Sequence, residues 1–121
     1  VSPFKNRPLG ARFGFALHGI AHAFTTEASL RVQAALGVLA LLALLVLRPA
    51  ALWWALFLLA ASTVLAAELL NTAIEQLADE LGGEHSEGIR IVKDCAAAAV
   101  LIAAAGAVGV AAAFVWQLLS N

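Results

Sequence analysis

Glu68, Asn71, Glu75 and Asp79 follow directly on the apolar run ALWWALFLLAASTVLA, inside the stretch AELLNTAIEQLADELGG. On a helix turning about 100° per residue, Asn71 lies near −60° from Glu68, Glu75 near −20° and Asp79 near +20°. The four share an arc of about 80° and form one stripe rising roughly 16 Å. Solvation alone would scatter charges around the helix. A single carboxylate stripe at the end of an apolar segment instead suggests a cation or a site between helices. A solvated extension accounts for Glu80 and Glu84, but not for Glu68, which is still at membrane depth.

Glu27 stands at a similar depth, where an amphipathic segment turns into an apolar one. Two carboxylates from different helices suit Mg²⁺ that also carries phosphates. RIVKD supplies Lys93 and Asp94 where the last apolar run begins. A lysine there neutralises phosphate, and the adjacent acid can hold it in place. Acids for a metal, a base at lipid depth and a cation for phosphate are the parts that phosphoryl transfer needs. Glu68 is the candidate base for a lipid hydroxyl at the interface.

These residues need elements to position them. The 121-residue chain is 63% hydrophobic, well above a soluble domain, and the expectation is a single all-α membrane domain, 1–121. A net charge of −1 argues against a nucleic-acid partner, and the lone Cys95 excludes a disulfide framework. The start, VSPFKNRPLGARFG, has basic residues but no adjacent apolar run or small-residue cleavage site, so it does not read as a signal peptide. Leu9, Phe13, Leu17, Ile20 and Phe24 fall on one helical face, which predicts an interfacial amphipathic helix over 9–27. Spans are expected at 30–48 and at 50–81, the second with a cytoplasmic extension. Arg48-Pro49 forms the turn between them, and Trp53 and Trp54 form an aromatic belt. A polar loop is expected over 82–93 and a third span over 94–118, where Gly106 and Gly109 permit close helix packing.

Lys5, Arg7, Arg12, Arg31, Arg90 and Lys93 fall on one side of this topology, and Arg48 on the other. The positive-inside rule places the N-terminus and the 82–93 loop in the cytoplasm of a multi-pass inner-membrane protein. All eight acids share that side, so the chemistry is expected at the cytoplasmic boundary.

EASLR, AELLNTAIEQLAD and KDCAAAAVLIA, in this order in a three-span chain, resemble the bacterial integral-membrane diacylglycerol kinase family, which includes undecaprenol kinases. The resemblance covers nearly the whole chain, and its ELLNTAIE core is highly specific. It implies a homotrimeric helical bundle, an amphipathic surface helix, ATP with Mg²⁺, and active sites shared between protomers. Carried over, it makes Glu68 the general base with Asn71 in support, and Glu27 and Glu75 the metal ligands. Lys93 and Asp94 serve the phosphates, Asp79 lies near the nucleoside, and Arg12 joins them as an ATP- or phosphate-contacting candidate. His85 stands one residue from the position expected for a nucleotide-contacting histidine. The run Cys95-Ala96-Ala97-Ala98-Ala99 stands where the family often has a serine or glycine. The implied reaction moves the γ-phosphate of ATP to the primary hydroxyl of diacylglycerol, giving phosphatidate. RFGFALHGIAHAF and the alanine run look closer to the undecaprenol kinases, which makes undecaprenol the alternative lipid.

No Walker-type loop, G-x-G-x-x-G loop or H-R-D motif is present, so the P-loop and protein-kinase classes are excluded. His18 and His22 are four apart but lack the acid of H-E-x-x-H and a third ligand, and read as interfacial histidines. A cation transporter would need acids at mid-membrane rather than at one boundary. A structural subunit would not explain the stripe or the Lys-Asp pair.

Overall fold

The computed structural model describes residues 6–82 and 86–121 and is all-helical over them. Four helices follow in order: α1 (Leu9–Thr26), α2 (Ala28–Leu47), α3 (Ala51–Glu80) and α4 (Glu87–Ser120). The last three are long and apolar enough to cross a membrane. At about 1.5 Å per residue they measure roughly 30, 45 and 51 Å, against a hydrocarbon core of about 30 Å. α2 therefore just spans, while α3 and α4 are long enough to project well beyond the lipid. The chain is a multi-pass membrane protein.

The breaks have local causes. α1 and α2 are separated by Glu27 alone, in an extended conformation (φ −112°, ψ 109°). The hydroxyls of Thr25 and Thr26 both donate to the His22 carbonyl, a local bond that competes with helix continuation. Arg31 Nη1, one turn into α2, donates to the Phe24 carbonyl near the end of α1 and ties the two helices at their corner. α2 ends at Arg48, which takes up the left-handed conformation (φ 48°, ψ 58°) just before Pro49. α3 ends before Gly82, whose φ of 111° suits a residue without a side chain.

α4 corrects the expected 82–93 loop. Residues 87–93 are helical, so the helix starts seven residues before the expected span. Ser86 Oγ accepts from the Ile89 amide and caps it, and Glu87 favours the positive end of the helix dipole. His85, the expected nucleotide contact, lies outside the described residues.

α3 is the hub, packing along α4 and against α2 and α1, whereas the α2 and α4 backbones do not approach closely among the described residues. Trp53 and Phe114 meet edge to face at the far end of the α3–α4 pair, 5.1 Å between ring centres. The interior is thin: Ala23, Leu30, Leu44, Val64, Ala78 and Ala96 are its buried apolar residues. A β-carbon added at Gly106 or Gly109 would meet nothing within 4 Å, so neither glycine is used for close packing inside the chain.

Candidate active site on the third helix

The polar stripe of α3 forms three rungs. The lowest is Glu68, 1% exposed. A buried carboxylate needs donors, because an unpaired buried charge is heavily penalised. α2 supplies them: Ser29 Oγ donates to Oε2 at 3.0 Å, and Gln33 Nε2 to Oε1 at 3.5 Å. Ser29 and Gln33 are one helical turn apart and so share a face. Thr72, also buried, donates its hydroxyl to the Glu68 carbonyl at 2.9 Å.

One turn on, Asn71 Nδ2 donates to Glu75 Oε1 at 3.3 Å. That fixes the amide and leaves Asn71 Oδ1 buried, with no hydrogen-bond partner among the described residues. An unpaired buried oxygen beside a carboxylate is a set of hard oxygen donors, the kind Mg²⁺ takes.

At the third rung Asp79 Oδ1 accepts from Lys93 Nζ at 2.8 Å, joining α3 to α4. This corrects the expectation that Asp94 holds the lysine. Consecutive residues on a helix point about 100° apart, so Asp94 does not share the face of Lys93. Asp94 itself is exposed. The Asp79 side chain is 64% exposed and the Lys93 side chain 23%, so solvent screens the pair on the Asp79 side and it contributes little to stability.

Glu27 is half-buried at the α1–α2 corner and makes no capping bond to α2. No three His, Cys, Asp or Glu side chains gather into a metal-binding group among the described residues. Any ion held by Glu27 or Glu75 therefore draws on other oxygens, such as Asn71 Oδ1 or the phosphates of a substrate. Arg12 is exposed on α1. Sequence reasoning missed Ser29 and Gln33. Their signal is two hydrogen-bonding side chains four apart at the mouth of an otherwise apolar helix.

A groove of about 360 Å³ lies between α1 (Ala16, Ile20, His22) and α3 (Leu69, Thr72, Gln76), and Glu68 does not line it. Ala16, Gly19 and Ala23 on α1 and Ala73 on α3 contribute its small side chains.

The sequence matches the family described as prokaryotic diacylglycerol kinase over residues 14–115. That range includes every rung of the stripe, together with Glu27, Lys93 and Asp94, and leaves Arg12 outside. The diacylglycerol kinase of Synechocystis sp. is 39% identical over 97 residues, covering 79% of this chain and 55% of that protein. The chain spans about half the length of this curated relative. With a matching range that holds the whole polar stripe, α2, α3 and all but the last five residues of α4, the chain belongs to the prokaryotic diacylglycerol kinase family.

Proposed function

We propose that this chain is an ATP-dependent lipid kinase that moves the γ-phosphate of ATP to the primary hydroxyl of diacylglycerol, giving phosphatidate. The observation that carries this is Glu68: a buried carboxylate, held from α2, on a membrane-spanning helix. Diacylglycerol as the acceptor is supported by the family and by the name of the cyanobacterial relative.

In this reading an acyl chain lies along the groove between α1 and α3, with its hydroxyl toward Glu68. Glu68 accepts the hydroxyl proton as the oxygen attacks the γ-phosphorus and the bond to the ADP oxygen breaks. Asn71 Oδ1, Glu75 and Glu27 are the residues that would hold Mg²⁺. The bound ion would neutralise charge developing on the phosphates. Lys93 exchanges part of its contact with the exposed Asp79 for a phosphate oxygen. Asp94 and Arg12 flank the phosphates, and Asp79 lies toward the nucleoside.

The working form is a homotrimer in the bacterial inner membrane, with the N-terminus and the site on the cytoplasmic side. One observation supports assembly: Gly106 and Gly109 have unused space at their surface, where another helix can approach closely. The basic residues on the side of α1 and the α3–α4 connection support the orientation.

Nucleotide protection tests the reading. A kinase of this kind is stabilised by ATP with Mg²⁺, by about 2.7 kcal/mol at a hundred times Kd, and less by either alone. A melting profile in micelles that ignores ATP–Mg²⁺ at millimolar concentration would contradict it.

A further inference from the structure

We propose that Ser29 is a positioning residue for the catalytic base, with Gln33 in a supporting role. This rests on the lipid-kinase reading and adds residues from a second helix to it. Three observations converge. Glu68 is buried to 1%, so water cannot set the orientation of its carboxylate. Its two oxygens are each taken by a different donor, and both donors come from one face of α2. The structure gives no other hydrogen bond to the carboxylate oxygens among the described residues; Thr72 bonds to the backbone carbonyl instead.

The geometry has a consequence. An ionised carboxylate offers about four lone-pair sites, two on each oxygen. Ser29 and Gln33 occupy one on each and so fix both the plane and the rotation of the group. The Ser29 bond at 3.0 Å lies within hydrogen-bond range and the Gln33 bond at 3.5 Å is at its limit, so Ser29 does most of the holding. Without it the carboxylate can swing, and proton transfer is sensitive to such misplacement. Arg31, between the two donors in sequence, ties α2 to the end of α1. The register of Ser29 is thereby coupled to the surface helix that lines the lipid groove.

The test uses the full-length protein in mixed micelles with ATP, Mg²⁺ and diacylglycerol. Ser29→Ala is expected to lower kcat about tenfold or more, with both KM values within about twofold of the parent, since only the base has moved. Ser29→Thr keeps the hydroxyl and is expected to recover most of the turnover. Gln33→Met, similar in size but without the donor, gives a smaller fall of the same kind and serves as the second variant should Ser29→Ala fold poorly. Normal kcat per folded molecule in Ser29→Ala or, where that variant does not fold, in Gln33→Met overturns the proposal. So does a loss that Ser29→Thr fails to recover. Glu68→Gln separates the two levels: if it keeps full turnover, the base assignment itself fails. If it is inactive while Ser29→Ala is normal, only the positioning role fails.

Discussion

Replacing Glu68 by Gln should move activity and stability in opposite directions. Burying an ionised carboxylate carries an effective penalty of several kcal/mol. The Ser29 bond at 3.0 Å returns roughly 1.5–3 kcal/mol as a bond to a charged group. The Gln33 bond at 3.5 Å returns less. The balance for the charge is therefore near zero or unfavourable. Glutamine keeps an oxygen for the Ser29 hydroxyl, and a rotated Gln33 amide can present its own oxygen to the new NH₂. Stability is expected to be unchanged or up to about 2 kcal/mol higher, within the range for neutralised buried charges. Turnover should fall by about 10²–10⁴, the usual contribution of a general base, or roughly 3–5 kcal/mol of barrier. The assays are initial rates at saturating ATP and diacylglycerol, and unfolding by denaturing detergent in mixed micelles. Turnover within tenfold of the parent would refute the base. A loss of more than about 2 kcal/mol of stability would refute the energetic reasoning, making the charge a structural asset instead.

Three further outcomes follow from the upper rungs and the outer surface. Glu75→Gln keeps an acceptor for Asn71 and should fold normally, but need more Mg²⁺ for half-maximal rate; an unchanged metal titration would remove Glu75 from the metal site. Lys93→Met should raise the apparent KM for ATP about tenfold, the worth of one charge-assisted bond. It should change stability by less than about 1 kcal/mol, because the Asp79 partner is exposed, and an unaltered KM would contradict the phosphate role. Gly106→Leu meets nothing inside the chain, so the protomer should tolerate it while chemical crosslinking shows a smaller trimer fraction; full crosslinking would exclude that face of α4 from the assembly.

The architecture was readable wherever a run of apolar residues met a breaker. α1, α2 and α3 begin and end within two residues of expectation because Pro8, Pro49 and Gly82 punctuate them. The α1–α2 corner has no Pro or Gly, yet the change from an amphipathic to a uniformly apolar pattern at Glu27 marks it. α4 misled because polarity was taken for loop. Its first two turns are polar since they stand beyond the span, and Ser86 is the cap that announces them. The stripe itself was visible from helical periodicity alone. Its partners were not, because periodicity gives a face and not the identity of the neighbouring helix. Lys93 was assigned to Asp94 by adjacency, whereas the bond runs across to Asp79. Ser29 and Gln33 had no reason to stand out until α2 was laid against α3.

The most direct test of the central claim is phosphate transfer from labelled ATP in mixed micelles, with diacylglycerol and undecaprenol offered side by side to the purified chain. Labelled phosphatidate is expected, dependent on Mg²⁺ and lost in Glu68→Gln. Transfer to undecaprenol alone would contradict the assigned acceptor, and transfer to neither by a folded, ATP-binding protein would contradict the lipid-kinase reading itself.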